Sequence, residues 1–205
     1  MSAAVLFDAV FRRPAPFTVR HATGAEHRFD PVAWCRDDLP GDGTLLARCT
    51  GPTLDVGCGP GRLTVALAGR GLPALGIDIS ETAVRLARRR GATALRRDVF
   101  DPLPGTGRWQ HVLLADGNIG IGGDPARLLR RCRRLVRPEG RVHVEAAAPG
   151  TAAWSGAAVV QGGGTELPWA CVPIDDLSAL AAATSMRLLA TWTEAGRWFA
   201  TLAAH

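Results

Sequence analysis

Between residues 53 and 146, short apolar runs alternate with amphipathic stretches, and this alternation constrains the fold more than any other feature of the chain. Continuous apolar runs read as strands buried on both faces, and stretches with a 3.6-residue period read as crossover helices. Together they predict βαβ units around a parallel sheet. Strands are expected at 53–56, 74–78, 92–96, 111–116 and 141–146, with helices at about 61–70, 81–90 and 124–137. The proline and glycine of "RPEGR" end the last of these helices. A helix at 175–185 and two β-rich runs, 187–193 and 197–203, joined by "EAG", complete the sheet as an antiparallel hairpin. The expected class is α/β: a Rossmann-like, doubly wound, mostly parallel seven-stranded sheet with a C-terminal antiparallel hairpin.

A chain of 205 residues, 47% hydrophobic and 21% charged, suits one globular domain spanning 1–205. Residues 1–50 lack strand-helix alternation and are expected to form an N-terminal cap or lid over one edge of the 51–146 core. The Gly- and Pro-rich stretch 147–172 is expected to be an excursion on the substrate side, followed by the final helix and hairpin at 173–205. The net charge is +5 and the chain has no lysine, so all 24 Lys/Arg cations are arginines. Such a surplus can mark a nucleic-acid partner, yet much of it lies on "AVRLARRR" and "PARLLRRCRRLVRP". In the second, Leu128, Leu129, Cys132, Leu135 and Val136 form an apolar stripe, so a solvated opposite face accounts for the arginines without nucleic acid. Five cysteines with no CxxC pair and no metal-ligand spacing suit a reducing compartment and predict no metal. Asp8 interrupts an N-terminal apolar run that lacks a cationic flank, and no apolar run reaches the ~18 residues of a membrane span. The expected location is cytoplasmic, with no membrane partner.

The stretch "LDVGCGPGRL" places Asp55 near the end of the first strand and Gly57, Gly59 and Gly61 at alternate positions before a helix. Glycines are needed where φ is positive or where a ligand lies against the main chain. The spacing is DxGxGxG, not the GxGxxG of dinucleotide sites, and there is no GxxxxGK[ST]. Asp78, ending the second strand in "GIDIS", can accept hydrogen bonds from ribose hydroxyls, and Asp98 in "RRDVF" suits the exocyclic amine of adenine. Three carboxylates at one sheet edge would repel a pyrophosphate and suit a cationic, phosphate-free nucleoside.

These motifs, with "CRRLVRPEGRVHVE" after them, resemble the class I S-adenosylmethionine-dependent methyltransferases in order and spacing over residues 53–146. The resemblance implies S-adenosylmethionine as cofactor and S-adenosylhomocysteine as product. It implies that Gly57, Gly59 and Gly61 flank the methionyl part with help from Asp55. Asp78 would hold the ribose and Asp98 and Val99 the adenine, with Cys58 and Ile79 as neighbouring cofactor contacts.

A sulfonium methyl group is already activated, so the protein mainly aligns a nucleophile, which can lower a barrier by ~7–11 kcal/mol in favourable cases. The fourth strand ends in "ADGNIGIGGDP" where many amine- and base-methylating relatives carry an NPPY-type loop, a departure that disfavours adenine or glutamine acceptors. Asp116 and Asn118 are the candidate catalytic residues, positioning an acceptor hydroxyl or amine; turn chemistry is their alternative role. Glu145 shares a strand side with His143 and could reach the same pocket. His21, Glu26 and His27 offer a base from the N-terminal segment or are solvated loop residues. Trp34, Trp154 and Trp169 either line an apolar acceptor pocket or pack. The expected function is methyl transfer to a small-molecule acceptor such as a secondary metabolite. An RNA or protein methyltransferase and a non-catalytic S-adenosylmethionine-binding regulator stand as alternatives, and the motifs leave acceptor atom and oligomeric state open.

Overall fold

The structure, a computed structural model, describes residues 1–204. Helix α1 (Ala3–Arg12) precedes a hairpin of β1 (Phe17–His21) and β2 (Glu26–Phe29) and two short helices, α2 (Pro31–Trp34) and α3 (Asp42–Leu46). The alternating region then runs β3 (Thr53–Val56), α4 (Arg62–Gly69), β4 (Ala74–Asp78), α5 (Glu81–Arg89), β5 (Ala94–Arg96), β6 (Trp109–Leu114), α6 (Pro125–Leu135) and β7 (Val136–Ala146). Strands β8 (Trp154–Val160) and β9 (Glu166–Cys171) lead to α7 (Leu177–Ala182) and the hairpin β10 (Met186–Glu194) and β11 (Arg197–Ala204).

Seven strands form one sheet in the order β10-β11-β7-β6-β3-β4-β5, the fold class expected from the sequence. The pairs β7-β6, β6-β3, β3-β4 and β4-β5 are parallel, and β11 pairs antiparallel with both β7 and β10. Chain order reverses across β3 and β6, so the crevice at their carboxyl ends is where a ligand is expected in such a sheet. Alternation along the strands builds two apolar layers. On one face Leu54, Val112 and Leu114 meet Leu128, Leu129 and Leu135 of α6; on the other, Leu113 and Phe199 meet Leu45 of α3 and Leu67 of α4. All ten are fully buried. Fully burying a side chain of this kind contributes ~1.5–3 kcal/mol, and that sum holds the sheet edge rigid beneath the crevice.

The N-terminal segment departs from expectation. It contains strands, and β1 and β2 join β8 and β9 in a second, antiparallel sheet of order β2-β1-β8-β9. Small residues in β8, "WSGAAVV", with Gly156 at φ 116°, blur the period-2 signal that would have announced it. The inward side chains Val19, Phe29, Ala158, Leu167 and Trp169 form a separate core.

Several boundaries also differ. Helix α6 ends at Leu135, and Val136 is already extended at ψ 152°, because the residue preceding Pro138 is driven out of the helical region and the chain leaves the helix before it. Strand β7 therefore begins at Val136, five residues earlier than expected. Strand β6 ends at Leu114, since Asp116 at φ 53° and Gly117 at φ 78° turn the chain out of the sheet. The C-terminal helical stretch is a 3-10 turn, Ile174–Asp176, followed by α7.

His143 has partners that sequence did not identify. Thr50 N–H donates to His111 Nε2 at 3.1 Å, so His111 Nδ1 carries its proton and donates to His143 Nε2 at 3.0 Å. His143 Nδ1 then donates to Thr201 Oγ1, also at 3.0 Å. Burial pushes these imidazoles down to about 4 and about 3, so both are neutral struts between β6, β7 and β11.

Candidate functional site

At the carboxyl ends of β3 and β4 lies a cavity of about 450 Å³, roofed by Phe7 and Phe11 of α1 and by Trp34, Leu167 and Trp169. Its floor is the glycine loop. Gly57 has φ 70°, and a Cβ there would lie 2.7 Å from Asn118 Nδ2, so only glycine fits between β3 and the turn after β6. Gly57, Cys58 and Gly59 line the cavity, together with Asp55, Asp78, Ile79, Asp98, Val99, Asp116 and Asn118. Gly61 does not. At φ 86° it caps α4 on the far side of the loop, and a Cβ there would meet Ala87 Cβ at 2.8 Å, so it serves the close approach of α5.

Asp55 is buried, accepts from Thr64 Oγ1 at 2.7 Å, and is pushed up to about 6 by burial. Asp78 accepts from Ser80 N at 2.8 Å on Oδ1 and from Gly59 N at 3.0 Å on Oδ2. Each oxygen keeps a second lone pair for a ligand donor. Burial raises Asp78 as well, to about 6, against those two backbone donors. Asp98 is exposed and its Oδ1 accepts from Phe100 N at 2.9 Å, closing a turn that presents Val99 to the cavity. This turn is braced by α6: Arg131 donates to Val99 O at 2.7 Å and to Asp101 O at 2.6 Å, and the Arg127 guanidinium stacks 3.9 Å from the Phe100 ring. Arginines read as a solvated face thus shape one wall.

The candidate catalytic pair, Asp116 and Asn118, lines the cavity and also makes structural contacts. Asn118 Nδ2 donates to Val56 O at 2.9 Å and Gly57 O at 3.0 Å, pinning the glycine loop. Asn118→Ala is therefore expected to lower stability by ~1–3 kcal/mol, two ordinary hydrogen bonds, in urea unfolding followed by circular dichroism. An unchanged midpoint would remove Asn118 as the pin. Asp116 is tied into a charge cluster: Arg62 Nη2 reaches its Oδ2 at 2.5 Å, Arg197 Nη2 its Oδ1 at 3.3 Å, and its own N–H donates to Glu145 Oε2 at 2.6 Å. Arg197 also grips Glu145 through Nε at 2.8 Å and Nη2 at 2.7 Å, and both arginines bind Asp42. Burial pushes Asp116 up to about 6 against the two guanidinium groups. For Asp42 burial acts upward too, but the hydrogen bonds from Arg62 and Arg197 outweigh it and hold the carboxyl below its usual range. The buried Arg62 Nε has no partner among the described residues, and Arg62 lines the cavity.

Of the N-terminal candidates, Glu26 pairs with Arg20 at 2.7 Å, and His21 stacks on Trp154 and contacts Thr23, so neither faces this cavity. Trp34 and Trp169 are in its wall, and Trp154 packs in the second core. Asp8, met in the sequence only as a break in an apolar run, accepts from Ser80 Oγ at 2.6 Å and Thr82 N at 2.9 Å, tethering α1 to the start of α5. Sequence gave no sign of the Asp42–Arg62–Asp116–Arg197–Glu145 cluster, whose members come from five separate segments.

Residues 53–140 match the family described as a methyltransferase domain. Over 98 residues the chain is 39% identical to the ubiquinone biosynthesis O-methyltransferase of Methylococcus capsulatus, covering 43% of this chain and 40% of that protein. The chain thus spans less than half the length of the curated relatives it matches. Among solved structures it resembles a SAM-dependent methyltransferase from Bacteroides fragilis in complex with S-adenosyl-L-homocysteine, with TM-score 0.76 and 23% identity over 98% of this chain and 93% of that one. It also resembles an O-methyltransferase from neocarzinostatin biosynthesis bound to S-adenosylmethionine and 2-hydroxy-5-methyl naphthoic acid, with TM-score 0.59 and 23% identity, covering 76% of this chain and 49% of that one. At these identities the structural likeness is one of fold.

Proposed function

We propose, from the match of residues 53–140 to a methyltransferase domain, that the chain transfers a methyl group from S-adenosylmethionine to a small-molecule acceptor. The observation that carries this reading is the convergence of Gly57, Gly59, Asp78 and the Asp98–Val99 turn on one cavity at the sheet's switch point. The residues suit that cofactor. Five carboxylates line the cavity, from Asp55, Asp78, Asp98, Asp101 and Asp116, against the guanidinium groups of Arg62, Arg97 and Arg127, of which Arg62 is already paired with two acids. Such a field favours a cationic nucleoside over a pyrophosphate.

When bound, S-adenosylmethionine supplies a methyl group activated on a sulfonium. In this reading Asp78 accepts from the ribose hydroxyls with its free lone pairs, and Ile79 and Val99 enclose the nucleoside beside Asp98. Asp55 and the glycine loop face the methionyl part, and the unpartnered Nε of Arg62 is the donor available to its carboxylate. Phe7, Phe11, Trp34 and Trp169 exclude water, which keeps the activated methyl from hydrolysis. Residues 1–50 and 147–172 act as the cap and acceptor-side wall of a single 1–205 domain. Two of the three proteins named above are O-methyltransferases by title, which favours a hydroxyl acceptor.

Binding should depend on pH with a defined sign. Asp78 must be ionised to accept both hydroxyls, and its folded value is raised to about 6. Affinity for S-adenosylhomocysteine should be full at about pH 8 and fall by up to ~tenfold per pH unit below about 6. Calorimetric titration across that range checks it; constant affinity would free Asp78 of the role. The function itself is tested by incubating the protein with methyl-labelled S-adenosylmethionine and a panel of small hydroxylated aromatics. Label in an organic product supports it, and binding without transfer to any acceptor opposes it.

A further inference from the structure

Beside the Asp116–Gly117 turn lies a second chamber, of about 250 Å³, whose lining meets that of the larger cavity at Trp34 and Asp116. Its surface combines the apolar Phe29, Ile119 and Val172 with one imidazole, His27. Alternation along β2 turns His27 and Phe29 to the same side, with the rings edge to face at 4.7 Å. His27 Nε2 faces Gly117, where even a Cβ would stand 4.0 Å away, so space is left between the imidazole and the turn. Burial lowers the His27 value, leaving it neutral near pH 7, and the described residues offer its ring no hydrogen-bond partner. A half-buried, neutral, unpartnered imidazole beside a cavity is a proton acceptor without an assigned proton.

We propose that this chamber receives a hydroxylated aromatic ring and that His27 is the catalytic base that takes the hydroxyl proton. The inference rests on the methyl-transfer reading and deepens it. The ring packs on Phe29 and Trp34, and about 250 Å³ holds one small aromatic system. As the acceptor oxygen forms its bond to the methyl carbon, the carbon–sulfur bond breaks and its electron pair stays on sulfur. Nε2 of His27 takes the hydroxyl proton and later releases it to solvent. The products are a methyl ether and S-adenosylhomocysteine. The charged groups around the chamber are Arg28 and Asp30 at the end of β2, and Asp116 and Glu145 at the ends of β6 and β7. The last two are already paired with Arg62 and Arg197, and Asp30 caps α2 by accepting from Ala33 N at 3.2 Å, which leaves His27 as the base without a partner.

The test uses the full chain, its His27→Gln and His27→Phe variants, and catechol, whose hydroxyls stay protonated through the pH range in which an imidazole titrates. Each protein is first titrated with S-adenosylhomocysteine, then with the probe while the His27 ring signals in NMR are followed. Methyl transfer from S-adenosylmethionine to the probe is measured against pH. All three proteins should bind S-adenosylhomocysteine alike. In the wild type the probe should shift the His27 ring signals and be methylated, with the acid limb of the rate profile set by His27. Both variants should transfer about 10²- to 10⁴-fold more slowly, and His27→Gln should lose the acid limb. Failure of the wild type to bind S-adenosylhomocysteine would remove the methyl-transfer reading and this inference with it. Normal S-adenosylhomocysteine binding with no probe binding, unmoved His27 signals, or wild-type transfer rates in the variants would overturn the His27 assignment alone.

Discussion

Asp78→Asn is expected to weaken S-adenosylhomocysteine binding by about 10- to 100-fold while leaving the fold in place. A hydrogen bond to a charged group is worth ~1.5–3 kcal/mol, and under the proposed function the ribose hydroxyls donate to this carboxylate. Asparagine keeps the shape and one acceptor oxygen, so at most one of the donors now served, Gly59 N and Ser80 N, loses its partner. The charge is what disappears. Asn also has no acid titration near 6, so the variant's residual affinity should lose the pH dependence expected of the wild type. Calorimetry on both proteins at about pH 8 and about pH 5 reads both effects. Equal affinity would mean that Asp78 serves only the loop.

Arg62→Met should be the most destabilising single change in the site, by ~3–5 kcal/mol in urea unfolding, because breaking a buried ion pair from one side strands the charges left behind. The Arg62 side chain is only 3% exposed and joins Asp42, itself buried, to Asp116. Arg197 remains attached to both acids but also carries Glu145. Methionine fills much of the same volume, so the measured loss reports charge more than a cavity. If the loss were below ~1 kcal/mol, the desolvation of Arg62 would nearly cancel its ion pairs and the cluster would not hold the Asp116 turn. A companion loss of S-adenosylhomocysteine affinity is expected, since Arg62 borders the same cavity.

What the sequence disclosed was local. Strands β3 and β4 and helices α4, α5 and α6 are each encoded by periodicity within a single segment, and the glycine loop and Asp78 announce themselves by spacing along one βαβ unit. What it concealed was non-local. Arg197 finds Asp42 across 155 residues, and Asp8 finds Ser80 across 72. No local pattern records such pairs, because an arginine on a strand end reads as solvated until its partner is known. The second sheet was hidden for a related reason: β1 meets β8 across most of the chain, and β8 is built from residues too small to mark its inward face. Asn118 and Gly61 were recognisable as special residues, but their tasks, pinning a loop and admitting a helix, depend on neighbours that only the fold supplies.

Under the proposed function, the cavity over the glycine loop takes an adenosyl ligand that carries no phosphate. Calorimetric titration of the protein with S-adenosylmethionine, S-adenosylhomocysteine and NAD in parallel reads this selectivity. The two adenosyl ligands should bind with one-to-one stoichiometry and NAD should give no heat. Binding of NAD in preference to both, or silence from all three, would remove S-adenosylmethionine as the ligand of this cavity.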